Sequence, residues 1–250
     1  NPQLQLVSMG DREADIYELF EQALRDPDGP KLLVRAKHDR KVQDEQERLF
    51  ETIRAKPIAG YQPVQLPRQK NRPARVATLA IRFAAVTLCP PQTKPQLGPL
   101  DVQMVLAQEV DTPPGAEPIE WALLTTLAVE GFEQACEKVA WYTQRWGIEV
   151  FHRTLKSGCR VEDRQLGHGD RLQACLAIDM VIAWRIHHMT KLGREVPDLP
   201  AEAYFDHDEC QVLIAYERKN RKRPVDAPAP SLREAIRMIA KLGGFLRRNS

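Results

Sequence analysis

The chain has 250 residues, 43% of them hydrophobic and 28% charged, with a formal net charge of +2 at pH 7. This apolar content supports a buried core in one large domain or two small ones. We find no apolar run of about 18 residues and no signal-peptide pattern, so we expect no membrane span. The five cysteines are scattered without a C-x2-C pair, which favours reduced thiols over a zinc site.

Basic residues are concentrated in three short segments of this nearly neutral chain, at 31–41, 68–75 and 217–223. The low net charge excludes a protein that coats nucleic acid over its whole surface. Local clusters are instead typical of contact with a phosphate backbone, although each is equally compatible with a solvated loop.

The first 56 residues predict the order strand, helix, strand. Residues 4–9 resemble a short strand, apolar residues at helical spacing follow over 14–24, and the DPDGP sequence at 26–30 ends that helix. Residues 31–37 form a second predicted strand. This alternation favours an α/β sheet.

Prolines and short β-like runs alternate from about residue 57 onward. The predicted strands cover 61–66, 76–83, 102–110 and 121–126. We interpret 57–130 as an inserted β-rich subdomain between a core segment, 1–56, and a helical segment, 131–250. The helical segment predicts helices over 131–157, 171–191 and 231–242, the second apolar enough to be buried.

Four polar residues recur at helical spacing in the first of these helices: Tyr142, Arg145, Glu149 and Lys156. Because an α-helix turns by about 100° per residue, the four side chains are predicted to share one stripe. One acid beside two cations suits a metal and phosphate site. Arg145 and Glu149 are also spaced as an ordinary surface ion pair, so the pattern alone leaves both interpretations open.

Asp11 directly follows the first predicted strand, and the carboxyl ends of strands often carry functional residues in α/β sheets. Together with Glu149 it would offer the oxygen ligands that Mg²⁺ prefers. The alternative is an N-cap for the following helix. Trp121 and Trp146 lie near basic segments and could stack on an exposed base, although a tryptophan more often belongs to a core.

These features occur together in an order that resembles the DDE transposases of the bacterial IS four family, particularly the transposon five type. The resemblance is carried by GDREAD at Gly10–Asp15 after a strand, by the mostly β insertion, and by Tyr-x2-Arg-x3-Glu-x6-Lys from Tyr142 to Lys156. Further matching runs are KNRPAR at 70–75, WALLT at 121–125, DECQVL at 208–213 and AKLGGF at 240–245.

The resemblance implies an RNase H-like α/β fold, incomplete here, that is interrupted by the β-rich insertion. It implies a site of two Asp and one Glu that binds two Mg²⁺ ions, with Mn²⁺ as a substitute. Asp11 matches the second Asp and Glu149 the Glu. The implied activity is cut-and-paste DNA transposition by metal-dependent phosphoryl transfer, with strand nicking, hairpin formation and strand transfer.

The same resemblance gives the other signature residues their expected roles. The residues expected to hold DNA phosphates are Tyr142, Arg145, Lys156, Lys70, Arg72 and Arg75. Trp121 matches the family tryptophan that receives a flipped base, and Trp146 would support the same distortion. The implied partners are double-stranded DNA, as transposon ends and target, and a second copy in the full-length protein. The implied location is the bacterial cytoplasm, at the nucleoid and away from membranes.

The family places its first catalytic Asp on a strand that precedes the one leading to Asp11. We therefore expect an interior piece of a transposase, with an open sheet edge, that does not nick transposon-end DNA in Mg²⁺ by itself. One alternative is a non-catalytic DNA-binding or inhibitory remnant, which the DNA sequence upstream of the first codon distinguishes. Another is a structural protein in which the pattern is coincidental, which failure to bind any DNA would favour.

Overall fold

The structure is a computed structural model that describes residues 4–66, 74–220, 224 and 228–242. The chain divides into two compact units, 1–146 and 147–250. The first unit contains a sheet with helices, and the described part of the second is helical. No helix among the described residues is long and apolar enough to cross a bilayer.

A six-stranded mixed sheet organises the first unit, with the strand order β1-β2-β6-β5-β4-β3. The strands are β1 Val7–Gly10, β2 Lys31–Arg35, β3 Gly60–Leu66, β4 Arg75–Leu88, β5 Leu100–Val110 and β6 Glu120–Thr125. β1 and β2 are parallel, whereas the other neighbouring pairs are antiparallel. The α/β class predicted from the sequence is confirmed in this mixed form, and the RNase H-like topology stays a prediction.

The strands of the predicted insertion continue the sheet that begins with β1 and β2. β6 pairs with β2, where Thr125 lies opposite Leu33, and β5, β4 and β3 follow outward. β1 forms one outer edge of this sheet, and Leu4 and Leu6 just before it are mostly exposed. The division of the chain into 1–56, 57–130 and 131–250 stays a prediction.

Helices cover both faces of the sheet, so that each face has its own apolar cluster. On one face, α1 (Tyr17–Arg25) and α2 (Leu49–Ala55) pack against side chains that include Met104 and Leu106 of β5. On the other face, α3 (Phe132–Gln144) packs against side chains that include Val105 and Ala107. The alternation along β5 follows from the two-residue period of a strand. α2 was not predicted, because its seven residues are too few to establish a helical period.

The Tyr17 side chain connects α1 by hydrogen bonds to the end of β4 and to the segment between β4 and β5. Its buried hydroxyl group lies 2.7 Å from the carbonyl oxygen of Gly98 and 3.1 Å from that of Leu88, and its single hydrogen is shared between these two acceptors. Burial, reinforced by nearby Cys89, raises the pKa of Tyr17 to about 12. The phenol is therefore a protonated donor at neutral pH.

Replacing Tyr17 with phenylalanine is expected to lower the free energy of unfolding by about 1–3 kcal/mol, because two carbonyl groups lose their donor while the ring still packs. Urea unfolding followed by circular dichroism measures the change. Tyr61→Phe is the matched control, since Tyr61 on β3 is 57% exposed, and it should change stability by less than about 0.5 kcal/mol. Equal unfolding midpoints for the two variants would refute the role of the hydroxyl group.

The described part of the second unit contains four further α-helices and a small apolar core. The helices are α4 Trp146–Arg153, which starts at the unit boundary, α5 Gly169–Glu195, α6 His207–Lys219 and α7 Leu232–Leu242. Core residues from α6, α7 and the α5–α6 connection are Ala201, Phe205, Cys210, Leu213, Leu232, Ala235 and Met238.

Two helix predictions in the second unit have different outcomes. α7 is confirmed, and it begins with a capping box in which Ser231 Oγ accepts the Glu234 N–H while Glu234 accepts the Ser231 N–H. The predicted burial of the apolar helix α5 was wrong. Its buried residues are Asp179 and Ala183, whereas large side chains such as Val181 and Trp184 are exposed.

Candidate functional site

The predicted continuous helix over 131–157 is interrupted at Arg145. α3 ends at Gln144 and α4 begins at Trp146, and the Arg145 N–H donates to the carbonyl oxygen of Tyr142, three residues back. Gly147 follows directly, and glycine disfavours a helix by about 1 kcal/mol relative to alanine. The prediction of one continuous helix was therefore wrong, whereas the shared polar stripe of the four residues stays a prediction. Tyr142 and Arg145 belong to the first unit and Glu149 to the second.

A cleft of about 370 Å³ opens beside the C-terminal end of α3 in the first unit. Its walls come from distant parts of the sequence: Arg35 of β2, Gln65 and Leu66 of β3, Arg75 of β4, Glu117–Trp121 at the start of β6, and Tyr142, Thr143, Arg145 and Trp146. The structure thus brings five predicted site residues together. They are Arg75, Trp121, Tyr142, Arg145 and Trp146.

Aromatic rings form one wall of the cleft. Trp121 and Tyr142 meet edge to face, with their ring centroids 5.5 Å apart, and Tyr142 is buried. Trp146 is 41% exposed and lines the same cleft. The guanidinium carbon of Arg145 lies 5.8 Å from the centroid of the Tyr142 ring, within the range of a cation–π contact. The wall therefore combines stacking surface with positive charge.

A buried carboxylate joins two other parts of the cleft. The Glu109 side chain is 1% exposed, and its two oxygens pair with the guanidinium of Arg75, with Arg75 Nη2 3.0 Å from Oε2. Oε2 also accepts the backbone N–H of Ile119 at 3.0 Å. The hydrogen bonds from Arg75 hold the pKa of Glu109 below its usual range. Glu109 was not predicted as a site residue, because a single acid near the end of a strand gives no signal in the sequence.

The start of β6 is also held by hydrogen bonds from β2, α2 and β5. Arg35 donates from Nη2 to the carbonyl oxygen of Glu120 at 2.8 Å. The Glu120 carboxylate accepts hydrogen bonds from Arg54 of α2 and Gln108 of β5, each at 2.8 Å. Burial opposes ionisation of Glu120, but these two donors keep its pKa below the usual range. The backbone just before Trp121 is therefore held by two hydrogen bonds, one from the Ile119 N–H to Glu109 and one from Arg35 to the Glu120 carbonyl oxygen.

Asp11 lies at the carboxyl end of β1, and its side chain is 49% exposed. Oδ1 accepts the backbone N–H of Glu13 at 3.0 Å, so Asp11 caps the 3₁₀ turn Arg12–Ala14, whereas the N-cap of the following helix α1 is Ile16. Oδ2 lies 3.8 Å from Nη1 of Arg145. One oxygen thus holds the turn while the other is adjacent to a cleft arginine.

The turn that carries Asp11 is anchored by a buried acid four residues later. The Asp15 side chain is fully buried and pairs with Arg40, with Oδ1 2.6 Å from Nη1. Its Oδ2 accepts the backbone N–H groups of Lys37 and His38, at 2.6 and 2.9 Å. Lys37 and His38 follow β2, so Asp15 ties the Asp11 turn to the end of the neighbouring parallel strand.

A half-exposed carboxylate at a strand end has the donor chemistry that a hard divalent cation requires. Within the described residues, no group of three His, Cys, Asp or Glu side chains lies close enough to hold a metal ion. Because its carboxylate is half-exposed, Asp11 fits as one ligand of a metal ion. The metal role of Asp11 and Glu149 stays a prediction.

Two further predicted site residues, Glu149 and Lys156, belong to the second unit. Glu149 lies on α4, and Lys156 lies in the π-helical turn Thr154–Gly158. Lys156 pairs with Glu162 at 2.9 Å, and the hydrogen bond raises the pKa of the exposed ammonium group. Lys70 and Arg72 lie outside the described residues.

Comparison with known families gives a match in the second unit. Residues 181–250 match the family model described as the transposase Tn5 dimerisation domain. The matched segment includes the C-terminal part of α5 and all of α6 and α7. This similarity supports a transposase of the Tn5 type and points to dimerisation and to DNA as a partner.

Proposed function

We propose that the chain is part of a DDE transposase of the IS four family, and that it contributes residues to DNA-cleaving and strand-joining chemistry on an RNase H-like core without performing that chemistry by itself. The observation that carries the proposal is the cleft of the first unit, where Trp121, Tyr142 and Arg145 meet and Arg145 lies next to Asp11. A stacking surface, a phosphate-binding cation and a half-exposed carboxylate together suit phosphoryl transfer on a distorted DNA end.

The aromatic wall suits a base that has left the double helix. Unstacking and unpairing a nucleotide costs a few kcal/mol, and stacking on an aromatic side chain returns about 1–3 kcal/mol per base. Trp121 would supply this surface and Trp146, at the cleft's edge, would support the distorted strand. The phenol ring of Tyr142 braces Trp121 from its edge.

The cationic side chains suit the phosphates on either side of such a base. Arg145 and Arg35 line the cleft, and a guanidinium group can bind phosphate oxygens through two parallel hydrogen bonds. Arg75, Lys156, Lys70, Arg72 and the hydroxyl group of Tyr142 complete the proposed phosphate-binding set. Because Arg145 is adjacent to Asp11, a phosphate held by Arg145 would lie near the proposed metal ligand.

Asp11 and Glu149 would hold Mg²⁺, or Mn²⁺ in its place, through carboxylate oxygens. When bound, such ions stabilise the attacking and leaving oxygens of an in-line phosphoryl displacement. The chain's own contribution would be to fix the Asp11 carboxylate, through the capped turn and the Asp15 anchor, and to hold the phosphate with Arg145.

The second unit would supply the contact with a second copy. An apolar groove of about 560 Å³ lies within the segment that matches the dimerisation family. Its apolar lining comprises Ile182, Ile186, Met189, Phe205, Val212, Leu213 and Ile239. Double-stranded DNA and a second copy are therefore the proposed partners, and DNA binding would place the protein at the nucleoid.

Iron-directed cleavage of the protein tests the metal site. Fe²⁺ substitutes for Mg²⁺ at oxygen ligands, and with ascorbate and peroxide it generates radicals that cut the backbone near the bound ion. We expect a cut near Asp11 that excess Mg²⁺ suppresses and that Asp11→Asn abolishes, because the variant loses the charged ligand. Mass spectrometry of the fragments locates the cut.

Glu13→Gln is the matched control, since it removes an exposed acid two residues away and should leave the cut in place. Glu149→Gln is expected to weaken the cut as well. Failure of the wild-type protein to be cut near Asp11, or an equal cut in Asp11→Asn, would exclude Asp11 as a metal ligand.

A further inference from the structure

A charged residue interrupts the apolar face of β5 at the point where β6 begins. Ala107 lies opposite Trp121 in the β5–β6 ladder, and Glu109 is two residues further along β5, on the same face. This is the face on which α3 packs. A carboxylate on this face must be paired to be stable, since burying an unpaired charge is strongly unfavourable.

The Glu109 carboxylate supplies the last hydrogen bond of the antiparallel β5–β6 ladder. The Glu109 N–H donates to the Ile119 carbonyl oxygen at 2.8 Å, as in a regular antiparallel pair. The returning bond is different, because the Ile119 N–H donates to Oε2 of Glu109 rather than to a backbone oxygen. The chain turns away after β5, where Asp111 has a φ of 57°. The side chain therefore fixes the backbone two residues before Trp121.

The same carboxylate fixes a second part of the cleft. Arg75 begins β4, opposite Leu66 at the end of β3, and its guanidinium is held by both oxygens of Glu109. Arg75 and Trp121 both line the cleft, on strands that are not neighbours in the sheet. Among the described contacts, Glu109 is the group bonded both to Arg75 and to the segment that leads into Trp121.

We propose that Glu109 is a positioning residue of the cleft, which sets Trp121 and Arg75 at the separation that receives an extruded base and its phosphate. The inference rests on the proposed function, because it assumes that the cleft binds a base. With 1% of its side chain exposed, Glu109 acts through Ile119 and Arg75 and not by touching DNA.

Glu109→Gln tests the proposal, because the amide keeps the size of the side chain but loses the charge that holds Arg75. The probe is a DNA duplex with a single bulged 2-aminopurine, whose fluorescence is quenched when the base stacks. We expect the Kd to rise about tenfold, the equivalent of one charge-assisted hydrogen bond. We also expect weaker quenching at saturating protein. A role in folding alone would not change the quenching of bound DNA.

Two comparison variants make the outcomes distinct. Glu45→Gln removes an exposed acid of the first unit, which pairs with Lys56 away from the residues that line the cleft, and should leave the quenching unchanged. Trp121→Ala removes the stacking surface and should abolish it. Normal quenching in Glu109→Gln together with loss in Trp121→Ala would overturn the positioning role and leave the proposed function intact. Unchanged quenching in Trp121→Ala would overturn the function of the cleft itself.

Thermal unfolding of Glu109→Gln separates stability from positioning. A lower melting temperature with full quenching of the bound base would assign Glu109 a structural role and contradict the proposal. Glu109→Asp, which retains a carboxylate on a shorter side chain, is expected to recover part of the quenching that Glu109→Gln loses.

Discussion

Replacing Asp15 with alanine is expected to lower the free energy of unfolding by about 3–5 kcal/mol, the cost of removing one partner from a buried ion pair. The Asp15 side chain is fully buried, and that of its partner Arg40 is 9% exposed. Without the carboxylate, the guanidinium loses its counter-charge while the N–H groups of Lys37 and His38 lose their acceptor.

The measurement is urea unfolding followed by circular dichroism, with Asp163→Ala as the control. Asp163 pairs with Arg160 at 2.7 Å, but both side chains are more than half exposed, so its loss should cost less than about 1 kcal/mol. A loss for Asp15→Ala no larger than that of the control would show that water replaces the carboxylate. The result bears on the site, because Asp15 anchors the turn that positions Asp11.

The fold could be predicted from the sequence where a local period decides the structure. The strands β3 to β6 were predicted within a few residues, except that β4 continues to Leu88, because their alternation and flanking prolines act locally. α2 was too short to show a period. The break at Arg145 was missed because the helical spacing on either side continues through it. The apolar composition of α5 was misleading, since composition predicts burial without stating which surface covers it.

The candidate site was predictable in part, and for two different reasons. The spacing of Tyr142 and Arg145, read with the family resemblance, identified the wall formed by α3. Strand register places Arg35 in the cleft wall and Glu109 behind it, and a single sequence does not specify that register. In the sequence each is an ordinary strand residue, and only the pairing of β2, β6 and β5 shows its place beside the cleft.

Replacing Trp121 with alanine is expected to weaken binding of DNA that carries a bulged base by about 1–3 kcal/mol, or roughly 5- to 150-fold in Kd. The loss should be confined to distorted DNA. A fully paired duplex of the same sequence contacts the protein through phosphates, which the variant leaves untouched. Fluorescence anisotropy with the two DNAs, at one fixed salt concentration, measures the difference.

The comparison between the two DNAs decides what Trp121 does. Trp121 packs at the edge of the apolar cluster on the α3 face, so its removal is also expected to destabilise the fold. A partly unfolded protein would, however, lose affinity for both DNAs to the same extent. Trp184→Ala, at an exposed tryptophan of the second unit, controls for the loss of an indole and should leave both affinities unchanged. A selective loss for bulged DNA therefore requires stacking in the cleft. An equal loss for both DNAs would make Trp121 a packing residue and leave Arg145 and the other cations as the DNA contacts of this unit.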